Sequence, residues 1–288
     1  MANEVTTAAG SVGELVAAEM VSRLVIDAAY GTGGLAVMPR IVRVADISAE
    51  STLTVEFPKW PLLTAAALTE GTDASNSAIN TTSVSITASE AGIMVTVTDK
   101  LLGSAVTGGL EPFAVELGKA LAGYIDTTLL AAVSSFTNSV GTSGLNMTHQ
   151  NFIDAIYTLE NGAAIGPFVC VLHPIQVSDL RTSLTTSGLA SWDATANSEI
   201  GSMGSLFGIP IVQSTNCASV NTNADRLGVL MPLGNQSGLA MVAKRAARTE
   251  FQRDASLRAT EIVVTTEFGA GCVNIAANGG VAIITDHE

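Results

Sequence analysis

Three histidines, His149, His173 and His287, are the side chains best suited to moving a proton near neutral pH. They are far apart and form no metal-binding pattern. His173 is the enzymatic candidate, because it stands between an apolar run and Pro174, and strand ends carry catalytic groups in α/β folds. The competing reading is a histidine that hydrogen-bonds the backbone at a strand-to-helix turn. Gly31 to Gly34 and Gly201-Ser202-Met203-Gly204 look like phosphate loops, but neither completes a dinucleotide or Walker pattern. Gly234-Asn235-Gln236-Ser237-Gly238 places its serine one position too late for a nucleophile elbow. No catalytic residue, cofactor site or metal site is assigned. The three cysteines, Cys170, Cys217 and Cys272, form no close pair and suit a reducing compartment, each acting as a small buried hydrophobe.

The basic side chains carry more information. Lys244, Arg245, Arg248, Arg253 and Arg258 are five of the 13 lysines and arginines, gathered in one short stretch. Glu250 and Asp254 stand among them with Phe251 as the one aromatic, which argues against a nucleic-acid patch. Two readings remain: contact with acidic residues of a neighbouring copy, or a solvated charged face. Against 13 basic residues there are 26 acidic ones, a net charge of −13, so tight phosphate neutralisation is not expected.

The elements that position these residues follow from spacing. Residues 1–10 read as a mobile arm, and Val12 to Ala29 as an amphipathic helix stopped by Gly31, Gly33 and Gly34. Ile41-Val42-Arg43-Val44 reads as a short strand. Leu53, Val55 and Phe57 alternate on one strand face, with Pro58 and Pro61 ending its pairing. A return strand is expected from Ser83 to Thr98, kinked at Gly92. Between them, residues 62–82 are poor in core residues and carry Glu70 and Asp73. Such a ribbon is marginal alone, and its edges offer backbone groups to another chain.

Phe113, Leu117, Leu121, Ile125, Leu129 and Val133 recur every fourth residue, which predicts one long helix over residues 110–136. Thr148 caps a short helix ended by Asn161-Gly162. The character then turns α/β. Phe168 to Leu172 reads as a buried strand, Ile175 to Leu184 as a helix, and residues 185–200 as a polar excursion. Further strands are expected at Gly208 to Val212, Leu227 to Met231, Gly238 to Val242, Glu261 to Thr266, Cys272 to Ile275 and Val281 to Ile284, the last three separated by Gly-rich turns. Only 14% of residues are charged and 47% are apolar, more apolar surface than a lone monomer usually needs. Large interfaces between copies are one way to bury it. No secretion signal is read at Met1-Ala2-Asn3-Glu4 and no stretch reads as a membrane span.

Four stretches in succession resemble the tailed-phage major capsid protein family, with its Hong Kong 97-like fold. They are residues 50–98 with the helix of 110–136; Val169 to Arg181; Gly204-Ser205-Leu206-Phe207-Gly208-Ile209-Pro210-Ile211-Val212; and Arg258 to Thr285. The resemblance implies an α+β chain: an N-terminal arm and helix (1–45), an extended β-hairpin loop (46–100), a peripheral domain with a long spine helix (101–163 and 241–268), and an axial α/β domain (164–240 and 269–288). It implies a non-enzymatic subunit that forms pentamers and hexamers of an icosahedral shell in the virion, assembled in host cytoplasm. The partners implied are the chain itself, a separate scaffolding protein, a portal, a decoration protein, and packaged DNA through weak non-specific contact. The candidates for intersubunit contact are Glu70, Asp73, Lys244, Arg245, Arg248 and Arg253, with Glu70 or Asp73 expected to meet Arg245, Arg248 or Arg253 of another copy. Encapsulin shells share the fold and are the alternative; an α/β enzyme centred on His173 is the second.

Overall fold

The computed structural model describes residues 36–59, 78–104, 111–187, 202–220, 225–276 and 278–286, with single positions at 23–26 and 63–73. The arm at 1–10, most of the helix at 12–29, Gly31 to Gly34, the excursion containing Trp192, and His287 lie outside the described residues. Arg23, Val25 and Ile26 are helical. No helix among the described residues is long and apolar enough to cross a membrane.

The long helix, α3, runs from Glu111 to Ala131 and tightens into a 3-10 turn at Ala132–Ser135. It follows the one-turn helix α1 (Met38–Ile41) and the short helix α2 (Asp99–Ser104). Its every-fourth row is its core face, for Leu117, Leu121, Ile125, Leu129 and Val133 are all buried. At about 1.5 Å per residue the 21-residue helix spans about 32 Å.

A four-stranded sheet in the order β1-β11-β12-β4 lies against it. Its strands are β1 (Arg43–Asp46), β4 (Ser89–Thr98), β11 (Leu239–Asp254) and β12 (Ala259–Cys272). Ile41 and Val42 are not strand; Ile41 ends α1. The 16-residue β11 continues past Val242 through Lys244, Arg245, Arg248 and Arg253 to Asp254, leaving Arg258 in the turn before β12, and pairs with β12 across register shifts between Ala243 and Arg245 and between Arg245 and Arg248. Those shifts break the alternation that would have revealed the strand. Phe268-Gly269-Ala270-Gly271 is strand rather than turn, and Ile275 lies in the loop beyond.

The ribbon is also built differently. β2 (Thr54–Lys59) pairs with β3 (Thr82–Thr87), not with the run Ile93–Thr98. The return strand breaks at Ala88, not Gly92, and its second half, β4, joins the four-stranded sheet through Val95↔Ile262. Pairing continues through Pro58, opposite Ser83, because each strand of a two-stranded ribbon is an edge where a missing amide donor is tolerated.

A second sheet of seven strands has the order β5-β13-β10-β6-β8-β7, with β9 on β10. It comprises β5 (Ser139–Val140), β6 (Phe168–Leu172), β7 (Ser202–Leu206), β8 (Ile209–Gln213), β9 (Ser219–Val220), β10 (Asp225–Pro232) and β13 (Val281–Thr285). Helices α4 (His149–Asn161) and α5 (Pro174–Thr186) share a core with this sheet. Thr148 caps α4 as expected, its hydroxyl accepting the Asn151 amide at 3.3 Å. Within the glycine-bearing run, Ser202 to Gly204 are strand and no phosphate loop. Ser202 to Leu206 is a strand of a hairpin that turns at Phe207 (φ 53°) and Gly208 (φ 78°). Two positive φ values in succession match a tight hairpin turn.

Candidate assembly surface

The ribbon is seated on the four-stranded sheet, on the face away from α3. Val55 pairs across the ribbon with Ile86, and Phe57 with Val84. Phe57 and Ile86 are buried in a small core with Ile47, Ala88, Ala240, Val242 and Val273. The guanidinium of Arg43 lies 4.9 Å from the centre of the Phe57 ring. Alternation along β11 explains the layering: Leu239 and Met241 face the spine helix, whereas Ala240 and Val242 face the ribbon.

Two glycines of β12 make room for the seat. A Cβ on Gly269 would stand 2.5 Å from the Thr87 carbonyl oxygen, and one on Gly271 would stand 3.1 Å from Ile86 side-chain atoms. The sequence signal was present, as glycine at alternate positions of an apolar strand marks close approach of another backbone.

Beyond its seat, several described apolar residues of the ribbon are poorly covered by their own chain. Leu68 is 74% exposed, and Leu53, Leu63 and Ile79 are each about half exposed. Glu70 and the positive-φ Gly71 form a turn in the connection, and both Glu70 and Asp73 are exposed. Among the described residues no ion pair joins them to a basic side chain.

The basic stretch is already partnered within the chain. Lys244 donates to the carbonyls of Ile47 and Glu50, which fastens β11 to the turn before the ribbon. Arg245 pairs with Glu267 across the β11–β12 ladder, and Arg248 with Glu250 at 2.9 Å. Arg253 grips both carboxylate oxygens of Asp99, at 2.6 and 2.5 Å, and this hydrogen bonding holds the Asp99 carboxyl below its usual range. The Arg258 carbonyl accepts the Asp99 amide at 3.0 Å. Most of these side chains are about half exposed, so each pair is weak and exchangeable.

His173 is the N-cap of α5. Its Nδ1 accepts the Ile175 amide at 3.3 Å, and the Gln176 side chain accepts the His173 amide at 3.1 Å, a reciprocal cap. Burial, with the nearby Arg226 charge, lowers the His173 pKa from 6.5, which keeps the ring neutral and able to accept. A depressed folded-state value means the cap's contribution is present above about pH 6.5 and lost as pH falls. His173→Asn supplies an oxygen acceptor at all pH values. Its melting temperature, relative to wild type, is therefore expected to rise as pH drops from 7.5 to 5.

Cys170 precedes His173 by three residues, but it is fully buried in β6, and burial pushes its thiol well above the ordinary range. Burial likewise pushes Cys217 up to about 12 and Cys272 up to about 11, so all three remain neutral thiols and not thiolate nucleophiles. Among the described residues no group of His, Cys, Asp and Glu is placed to hold a metal ion.

No protein-family model matches the sequence, and no curated protein matches it. Solved structures do match. The head structure of Helicobacter pylori bacteriophage KHP40 aligns over 88% of this chain and 91% of its own, at 12% identity and a TM-score of 0.65. Mycobacterium phage Che8 aligns over 82% and 85%, at 21% identity and 0.61. The fold is the Hong Kong 97-like capsid fold. The holo-SrpI encapsulin complex of Synechococcus elongatus shares it, aligning over 86% of each chain at 10% identity and 0.63.

Proposed function

We propose that this chain is the major capsid protein of a tailed double-stranded DNA bacteriophage, self-assembling into pentamers and hexamers of an icosahedral shell around the genome. The observation that carries the reading is the ribbon, whose base is buried on the four-stranded sheet while Leu63, Leu68 and Ile79 in and beside its connection are exposed. A seated base with uncovered apolar side chains beyond it fits docking on another copy. Many modest contacts per subunit then add up, because each is made in the same closed lattice.

In this reading the four-stranded sheet with α3 is the peripheral unit, and the seven-stranded sheet with α4 and α5 is the axial unit. Residues 139–161 then belong with the axial part, because β5 pairs with β13 and α4 shares the seven-stranded core. The subunit acts by binding and not by catalysis, and its place is the virion. A scaffold, a portal and a decoration protein are its expected companions, with DNA held only loosely by a chain of net charge −13.

Expression of the full chain followed by negative-stain electron microscopy tests this. Closed shells or capsomer rings support the reading; a monomer that stays monomeric with a co-expressed scaffold overturns it. The encapsulin likeness makes a protein-filled compartment the second reading. Nuclease-protected DNA inside particles from infected cells separates a phage head from a cargo shell.

At the ribbon tip we place Glu70 or Asp73 against Arg245, Arg248 or Arg253 of another copy, displacing the weak pairs those arginines make at home. Glu70→Arg is expected to lower shell yield about tenfold, on the scale of losing one paired charge per contact, while the subunit's thermal unfolding is unchanged. Wild-type shell yield from that variant would sink the tip contact without touching the shell reading.

A further inference from the structure

β4 forms one margin of the four-stranded sheet, and among the described residues no strand pairs with its outer side. Its pairing with β12 runs without a shift from Ser89 to Thr98. Such an edge offers a straight row of backbone donors and acceptors, which proteins usually blunt with short length, proline, bulges or lysine. The other sheet margins are blunted in this way. β1 has four residues and β5 has two, and β7 carries a register shift against β8 between Ser202 and Ser205. β4 has ten residues, no proline and one charge, Glu90, near its start. Ile93 is 37% exposed and Met94 58%, so the strand is open to an incoming partner at its middle.

The two ends of β4 carry opposite charge. Glu90 stands opposite Glu267 in the ladder, and Arg245 pairs with Glu267, so this end holds two carboxylates to one guanidinium. At the far end Lys100 follows Asp99, which Arg253 grips, and Arg258 lies beside it with its carbonyl accepting the Asp99 amide. That end holds three cations to one carboxylate. Glu90 and Lys100 are both exposed, and among the described residues neither makes an ion pair. They cannot meet within one chain, because the strand from Glu90 to Thr98 alone spans about 27 Å.

We propose that β4 is a self-pairing edge, which joins the β4 of a second copy antiparallel about a two-fold axis at Val95. The place of the contact rests on the shell reading, in which a local two-fold axis relates copies in neighbouring capsomers. Antiparallel self-pairing reverses the second strand. It sets Glu90 of each copy against Lys100 of the other, since Val95 is five positions from both. A two-fold axis normal to the sheet also leaves both spine helices on one side of the joined sheets, as copies in one wall require. Backbone hydrogen bonds supply the attachment, and the paired ends fix its register.

Two measurements on the full-length chain test this. The first is disulfide trapping. About Val95, Met94 of one copy faces Thr96 of the other, and both are exposed, so Met94→Cys/Thr96→Cys leaves the core untouched. Facing Cα atoms of an antiparallel pair lie about 4.5–5.5 Å apart, within disulfide reach. After mild oxidation, covalent dimers are expected to be the main species on a non-reducing denaturing gel. Glu90→Cys, whose two copies would lie ten positions apart, and wild type with its three native cysteines are expected to run as monomers. Shells without trapped dimers overturn the self-pairing edge and leave the shell reading standing. Trapped dimers without shells from the same concentrated protein do the reverse.

The second measurement is a charge swap. Glu90→Lys and Lys100→Glu are each expected to lower shell yield about tenfold, because each turns the attractions of the contact into like-charge pairs. The double variant Glu90→Lys/Lys100→Glu is expected to recover to within about threefold of wild type. The two residues are too far apart to meet in one chain, so recovery needs a second copy. A double variant as poor as the single ones overturns the proposal.

Discussion

Gly269→Val is expected to abolish closed shells while leaving a folded subunit. Even a single Cβ at this position would come within 2.5 Å of the Thr87 carbonyl, a backbone atom that cannot swing aside. The branched side chain must lift the base of β3 from β12 and swing the whole ribbon with it. The local cost is about 1–3 kcal/mol, the range for overpacking, because the small core under the ribbon is separated by the sheet from the spine core. That shifts the melting temperature by only a few degrees, whereas misaiming the ribbon repeats in every subunit contact. Particle counts by electron microscopy and thermal unfolding of the same preparation distinguish the two effects. Gly271→Ala is the graded control. Its added Cβ meets side-chain atoms of Ile86, the nearest at 3.1 Å, and no backbone atom, and shell yield is expected to fall far less. Normal shells from Gly269→Val would mean that the seat does not aim the ribbon.

Gln176→Ala is expected to be the most destabilising single change in the seven-stranded half. Gln176 is fully buried, and its amide nitrogen donates to the Arg226 carbonyl at 2.9 Å, the Thr285 hydroxyl at 2.9 Å and the Ile283 carbonyl at 3.3 Å. Its oxygen completes the His173 cap. One side chain thus ties α5 to β10 and β13, which adjoin in the sheet. Gly228 admits it there, since a Cβ on Gly228 would lie 2.9 Å from the Gln176 oxygen. Truncation leaves several buried polar groups unsatisfied and opens a small void, at a cost of about 3–5 kcal/mol, or roughly 10 °C in melting temperature. Denaturant titration checks it, and a loss below about 1 kcal/mol would mean that water replaces the amide.

The spine helix, both α/β helices and the buried strand at Phe168 to Leu172 were legible because each buries a continuous face. The row from Leu117 to Val133 has no other way to hide from water, and Thr148 and His173-Pro174 mark where new helices begin. The ribbon was legible as a need for partners, through Leu53 to Phe57 and the core-poor stretch after it. Its true partner strand was half hidden, because Thr82 to Thr87 and Ser89 to Thr98 have similar patterns and differ only in which sheet they join. Only Gly238 to Val242 of β11 is legible, since its second half has no regular apolar alternation and its pairing is interrupted by register shifts.

Of the candidate residues, the sequence identified the basic stretch but not how it is used. Arg245 and Glu267 are 22 positions apart and Arg253 and Asp99 are 154 apart, distances that only the β11–β12 and β12–β4 pairings bring together. Asp126 could be seen as an acid on an apolar helix, but the Met38 and Val37 amides that it accepts, 88 and 89 positions away, could not. The sequence by itself determined the helices, the buried strands and the presence of an extension that cannot bury its own surface, because those follow from local periodicity and composition. Tertiary structure decided which strands pair, which glycines admit the ribbon, and which carboxylate caps α1. Those depend on contacts between residues far apart in the chain, and short-range spacing does not record them.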